Sequence, residues 1–302
     1  MKIGLTARGS TMDDIVDHAR WSEESGFTSV WFSSAHTGDP VVAMALAGRA
    51  TSRIEIGTAV LQTYPCHPLL QANRASSVVA AMKRAGFTLG IGPSHEPLIR
   101  DVFGLSYDHP GRSTEEYVHI LTGLLRGETV DFHGTDWSTH AAIGAPLEHP
   151  VPVLVSALSP RLLRLAGGVA DGTITYMAPP NVIESRVVPQ IRAAAAEAGR
   201  PDPRIVAGLP VAVHDDADEA RAAYMAGPGV YADMPNYQRV VAAGGYDTAA
   251  QVAIVGDEAT VTKQLQSVID SGADDIWAGI FPVGDDPTSS LRRTTDLLSS
   301  LI

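Results

Sequence analysis

Eight short apolar runs alternate along this chain with longer amphipathic stretches, and few folds accept that pattern. The runs are Lys2–Thr6, Ser29–Ser33, Ile54–Val60, Gly86–Ile91, Val151–Ser156, Gly172–Tyr176, Arg204–Val213 and Asp275–Phe281. Each is apolar almost throughout, as strands buried on both faces of a parallel sheet are. Helical patterns fall between them: Asp13–Ser25, Pro40–Thr51, Pro68–Arg84, Arg112–Arg126, Pro160–Ala170, Asn181–Gly199, Asp215–Ala226, Asp257–Ser271 and Thr288–Leu301. Several open on proline, whose missing N–H costs nothing in a first helical turn. Strictly alternating strands and helices give an α/β fold, either a closed (β/α)8 TIM barrel or an open doubly wound sheet. The count of eight, with no break in composition along 302 residues, favours a single barrel domain over residues 1–302. Two stretches interrupt the repeat. Glu128–Pro152 is expected to be a small hairpin and a loop, and Gly227–Thr248 a lid or pocket wall.

Charge and cysteine content then exclude classes of function. Lys plus Arg number 22 against 34 Asp plus Glu, a net charge of −12. A surface so acidic is unsuited to nucleic acid, whose phosphates need cations. One cysteine, Cys66, can form neither an internal disulfide nor a zinc site of several thiolates. No run approaches the 18 apolar residues of a membrane span, and Met1–Arg8 has no apolar signal core. The expectation is a soluble cytoplasmic protein without membrane or nucleic-acid partners.

Barrel active sites lie at the C-terminal ends of the strands. Three of the ten histidines fall there: His36 after the second strand, His67 after the third and His95 after the fourth. Imidazole is the side chain best matched to proton transfer near neutral pH. Metal binding by His36, His67 and Glu96 is one alternative, although nothing in their spacing demands it. Cys66, beside His67, is a candidate nucleophile, while a Gly-x-Ser-x-Gly elbow is missing. Ser156-Ala157-Leu158-Ser159-Pro160 leads from the fifth strand into a helix N-terminus, where backbone N–H groups attract anions. Gly90-Ile91-Gly92 lets backbone approach something flat, but carries no dinucleotide fingerprint.

Taken in order, several segments resemble the bacterial-luciferase-like family of flavin and deazaflavin oxidoreductases. They are Ser25–Trp31 leading to His36, Arg53–Leu61, Leu89–Gly92, Tyr117–Gly134, Val151–Val155 and Leu165–Gly172. Together they span nearly the whole chain and look most like the branch that uses coenzyme F420, a deazaflavin. The resemblance implies that His36 contacts the deazaflavin ring and that Ala59-Val60 is a non-prolyl cis peptide behind it. It further implies that Gly92-Pro93-Ser94-His95 lies beside the ring. Ala157, Leu158, Ser159 and Pro160, with Thr175, Tyr176 and Met177, would hold the ribityl and phosphate part. Departures from the family's glucose-6-phosphate dehydrogenase branch speak against a sugar phosphate. His95 stands where that branch has an acid, Ala35 where it has Asp, and its phosphate-binding lysine is replaced near Pro179.

The leading expectation is therefore an F420-dependent oxidoreductase moving hydride to or from a small organic substrate, with His36 and His95 as catalytic residues. The alternatives are an FMN-dependent monooxygenase of the same fold, a barrel that only binds the cofactor, and a metal-dependent hydrolase. Helices Pro40–Thr51 and Pro68–Arg84 are apolar on more than one face, which points to a homodimer.

Overall fold

In the computed structural model, residues 1–34, 38–144, 147–227 and 234–302 are described. Among the described residues twelve strands form: β1 Ile3–Thr6, β2 Ser29–Phe32, β3 Glu55–Thr58, β4 Leu61–Gln62, β5 Phe87–Gly92, β6 Val130–His133, β7 Ser138–Ala141, β8 Val153–Val155, β9 Gly172–Tyr176, β10 Arg204–Val213, β11 Ile254–Gly256 and β12 Asp275–Ile280. Eight of them close a parallel barrel in the order β1, β2, β3, β5, β8, β9, β10, β12 and back to β1. The barrel, not the open sheet, is the fold. The expected run Ile54–Val60 is split into β3 and β4, and the Ala59–Val60 peptide between them is cis. Glu128–Pro152 contains the antiparallel hairpin β6–β7. Sequence reading passed over β11, which extends the sheet beyond the barrel by pairing with the end of β10.

The helices are α1 Met12–Glu24, α2 Pro40–Ala50, α3 Pro68–Met82, α4 Pro110–Leu125, α5 Pro160–Gly168, the short turn α6 Pro180–Val182, α7 Val188–Glu197, α8 Ala217–Ala226, α9 Pro235–Ala243, α10 Glu258–Asp270 and α11 Pro287–Ser300. Their starts are set by side-chain caps. Thr11 and Asp14 form a capping box on α1, and the carboxylates of Asp39, Asp216, Asp257 and Asp286 cap α2, α8, α10 and α11. The expected helix Asn181–Gly199 is not continuous. Between α6 and α7 the chain widens into a π turn over Ile183–Val187, where the Val188 N–H reaches back to Ile183. Pro189, in the first turn of α7, has no N–H to give to a regular helical ladder.

Two apolar layers hold the fold. The larger lies between barrel and helices; the smaller fills the barrel with Trp31, Leu154, Ile174 and Val206, against Ala59, Val60 and Trp277. The indoles need glycine opposite them. A Cβ on Gly4 or Gly57 would collide with Trp31, and one on Gly208 with Trp277. Below this layer Arg204 closes the N-terminal end of the barrel. Its Nε donates to Asp275 at 2.6 Å, and Nη1 and Nη2 donate to Glu55 at 2.7 and 2.9 Å. These carboxylates raise the Arg204 pKa against the opposing pull of burial.

Candidate active site

The opposite end of the barrel opens into a cavity of about 1320 Å³. Val60, Gly92 and Ser156 reach it from the ends of the third, fourth and fifth barrel strands. Their arrangement follows from close backbone contacts. Ala59 N–H donates to Phe32 O at 2.6 Å, and Thr58 Oγ1 donates to Gly90 O at 2.6 Å. A Cβ on Gly90 would run into the Thr58 carbonyl, so no other residue fits where the strands converge.

Beyond Gly92 the chain turns sharply, with Ser94 in the left-handed region at φ 65. Tyr107 holds that turn by donating its hydroxyl to Ser94 O at 2.7 Å. Burial pushes the Tyr107 phenol up to about 12, with Tyr64 and Glu96 adding to it, so it remains a donor across the working pH range. The neighbouring charges are engaged: Arg100 pairs with Glu96 at 3.0 Å and with Asp108 at 2.9 Å. His95 follows Ser94 on the cavity wall, and burial lowers its pKa by disfavouring the imidazolium. A neutral imidazole at this position can accept a proton.

The other walls come from the start of α5, from the stretch running from α6 into α7, and from α9. Ser159 Oγ caps α5 by accepting from Leu162 N at 3.4 Å. Arg186 and Gln190 line one side, and Asn236, Tyr237 and Arg239 the other. The interior is largely apolar, with Pro93, Leu158, Leu162, Val182 and Val240. Such a lining, with a few placed polar groups, suits a bound organic molecule.

Sequence comparison gives the architecture a family. A profile described as luciferase-like monooxygenase matches residues 2–295. The chain belongs to the luciferase-like monooxygenase family. A 5,10-methylenetetrahydromethanopterin reductase of Methanolobus tindarius is 27% identical over 289 residues, 94% of this chain and 86% of the relative. An F420-dependent hydroxymycolic acid dehydrogenase of Mycobacterium tuberculosis is 30% identical over 286 residues, 86% of this chain and 77% of the relative. Among solved structures, an F420-dependent secondary alcohol dehydrogenase in complex with an F420-acetone adduct superposes with TM-score 0.81 at 20% identity, covering 100% of this chain and 98% of that one. An FMN-bound type II Baeyer–Villiger monooxygenase of Pseudomonas putida superposes with TM-score 0.76 at 18% identity, covering 99% and 96%.

Within this luciferase-like barrel, eight of the expected site residues line one cavity: Val60, Gly92, Pro93, Ser94, His95, Leu158, Ser159 and Pro160. Five others are not part of its lining. Ala59 packs into the barrel interior, and Ala157 is fully buried. Thr175 is buried with its hydroxyl on Val206 O at 3.4 Å. Met177, at φ 61, gives its N–H to Gly208 O at 3.0 Å, and its sulfur accepts from Tyr224 Oη at 3.3 Å. That N–H is therefore already committed within the protein. Tyr176 is half-buried, its ring 5.4 Å from Trp277 and 5.7 Å from Tyr237. His36 lies outside the described residues.

The remaining described candidates are His67 and Cys66. Both nitrogens of His67 are engaged, Nδ1 by Leu69 N and Nε2 by Ser138 O, so it caps α3 and anchors the hairpin. Cys66 is buried, and burial pushes its thiol up although Arg74 donates to Sγ at 3.3 Å. Among the described residues no group of three His, Cys, Asp or Glu is placed to hold a metal ion. Sequence reading overlooked Tyr107, Arg186, Tyr237 and Arg239. For Tyr237 a signal existed: Met234-Pro235 inside the irregular Gly227–Thr248 stretch is a helix start, with proline in the first turn.

Proposed function

We propose that this protein is an oxidoreductase transferring a hydride between coenzyme F420 and a small organic substrate. The observation that carries this reading is His95, a histidine kept neutral by burial on the wall of a large apolar cavity. The relatives named above supply the cofactor. The residues present fit a flat ring with a phosphate-bearing tail. Val60, Gly92, Pro93 and Leu158 offer apolar surface to a ring, while the Ser159 cap, Arg186 and Arg239 offer positive potential to a phosphate.

When bound, the deazaflavin supplies the carbon that accepts or donates hydride, and that chemistry is the cofactor's own. The chain's residues do the rest. Val60, at the strand break, backs the ring. Ser94, held in place by Tyr107, sets the direction of His95. A nitrogen of His95 takes a proton from the substrate as its hydride leaves, and returns it in the reverse direction. His36 is assigned the second ring contact on the family resemblance. α9 and the segment around Pro97 keep water from the reacting atoms.

The same reading treats residues 1–302 as one domain with insertions at 128–152 and 227–248, acting in the cytoplasm. No helix of the described residues is long and apolar enough to cross a membrane. It also makes the protein a homodimer through α2 and α3, which leave Val42, Leu46 and Leu70 50%, 46% and 49% exposed.

Titrating the purified protein with F420 and with FMN, each followed by absorbance, tests the assignment. F420 should bind tightly and perturb its spectrum, and FMN should not. Tight FMN binding without F420 binding would instead identify a flavin monooxygenase.

A further inference from the structure

The catalytic wall receives a side chain from outside the regular barrel repeat. Tyr237 stands in the first turn of α9, and its ring centroid lies 5.5 Å from that of His95, at an interplanar angle of 58°. The same ring meets Tyr176 edge-on, at 5.7 Å and 83°. Tyr176 leans on Trp277 at 5.4 Å, and Trp277 Nε1 donates to Thr6 Oγ1 at 2.8 Å. A continuous line of four rings thus runs from His95 through Tyr237 and Tyr176 to Trp277, and Tyr237 is the one next to His95.

α9 is fixed against the end of the sixth barrel strand. Asn181 Nδ2 donates to Gly244 O at 2.9 Å, just beyond the helix. Gly244 approaches Pro179 so closely that a Cβ there would lie 2.5 Å from Pro179 Cγ. Val240 and Val241 are buried beneath it. The helix is therefore a supported wall, and the placement of the Tyr237 ring is set by packing rather than by a loose loop.

We propose that Tyr237 is a positioning residue for His95: its ring covers the imidazole on the α9 side, limits how the imidazole can turn and keeps water from it. The role rests on the reading of His95 as the proton-exchanging residue. Burial is the cause that lowers the His95 pKa, and it is the ring's cover that the proposal invokes. Charged and titratable groups of the described residues line the same cavity, among them Arg186 on the stretch from α6 into α7. The segment of His95 contributes Glu96, Arg100 and Asp101, with Glu96 paired to Arg100, and Tyr107, whose hydroxyl is on Ser94 O. α9 contributes Arg239 beside Tyr237, and β9 contributes Tyr176. Taking away the cover exposes the imidazole to water while leaving these charges in place.

The test uses the full chain without cofactor, so its outcome does not depend on whether F420 binds. Histidine ring NMR signals are followed against pH, with the His95 signal assigned by its loss in His95→Gln. In Tyr237→Phe, which keeps the ring, His95 should titrate as in wild type. In Tyr237→Ala its pKa should rise toward the free value of ~6.5. A second measurement guards against a poorly folded alanine variant. Diethyl pyrocarbonate modification of His95, read by peptide mass spectrometry, should be several-fold faster in Tyr237→Leu than in Tyr237→Phe. The proposal is overturned if Tyr237→Ala and Tyr237→Leu leave both the titration and the modification rate at wild-type values, or if Tyr237→Phe changes them as much as alanine does. In the loaded enzyme the His95 limb of the kcat–pH profile should move upward in Tyr237→Ala and stay in place in Tyr237→Phe.

Discussion

Replacing Arg204 by alanine should destabilise the barrel without touching its active end. The guanidinium makes three charge-assisted hydrogen bonds of 2.6 to 2.9 Å, tying β10 to β12 through Asp275 and to β3 through Glu55. It also lies 5.8 Å from the centroid of Trp31, within reach of a cation–π contact. In Arg204→Ala the Asp275 carboxylate, 3% exposed, and the Glu55 carboxylate, 19% exposed, are left without their cation. Removing one partner of a buried ion pair costs roughly 3–5 kcal/mol. Arg204 itself is 26% exposed, so water recovers part of that and the lower end, about 3 kcal/mol, is expected. With about 2 °C lost per kcal/mol in a chain of this size, the melting temperature should fall by roughly 6 °C. Arg204→Lys should fall between, because an ammonium cannot make the forked pair with Glu55. Adding Glu55→Gln and Asp275→Asn to Arg204→Ala removes the stranded charges and should recover part of the loss. Urea unfolding at constant m-value measures all three. If Arg204→Ala lies within 1 kcal/mol of wild type, a scale well below the ~3–5 kcal/mol of a buried pair, the network does not hold the barrel end together.

Other expectations concern the site and the assembly. His95→Asn should lower kcat by ~10²–10⁴ with cofactor affinity largely kept, measured by steady-state rates and absorbance titration. The folded His95 pKa lies below that of the unfolded chain, near ~6.5, so the unfolded state binds more protons as pH falls through that region. His95 therefore withdraws stability as pH drops below about 6.5, and His95→Asn should flatten the fall in melting temperature there. Tyr107→Phe removes the hydroxyl from Ser94 O and should cost about 1 kcal/mol in urea unfolding, with weaker F420 binding. Leu46→Glu combined with Leu70→Glu should yield a monomeric mass by light scattering while wild type gives a dimer; a wild-type monomer refutes that interface.

Burial on both faces made the barrel strands easy to read, because runs such as Phe87–Gly92 and Arg204–Val213 carry an apolar pattern that survives without context. β11 was invisible: three residues, Ile254–Gly256, added at the margin of the sheet, leave too little pattern to distinguish from loop. The break between α6 and α7 was equally hidden, since Asn181–Gly199 keeps helical periodicity through a π turn that only Pro189 hints at. At the site, residues on strand ends were legible because topology puts them there; Gly92 and His95 are examples, whereas Val60 came from the family resemblance. Thr175 and Met177 were harder, because the strand alone does not say which carbonyl will claim the Met177 N–H. Tyr237 depends on where an insertion folds back: Met234-Pro235 marks the helix start locally but does not say that the helix packs against His95.

The indoles that fill the barrel, each resting on a glycine of a neighbouring strand, restrict the order in which this interior can be rewritten. Trp31 occupies the space above Gly4 and Gly57, and Trp277 the space above Gly208. A glycine cannot gain a methyl group until its tryptophan has shrunk, and a tryptophan that shrinks first leaves a void. Either single step lowers stability, while at Gly57, where the three atoms nearest an added Cβ all belong to Trp31, the paired change keeps the volume and should be strongly non-additive; at Gly4 and Gly208 the carbonyls of Ser29 and Thr175 also stand in the way. A lineage can cross that barrier only while some other part of the molecule holds stability in reserve. Redesign of the chamber above meets the same condition, because Val60 rests on this layer, and a new pocket shape would have to be introduced as matched pairs.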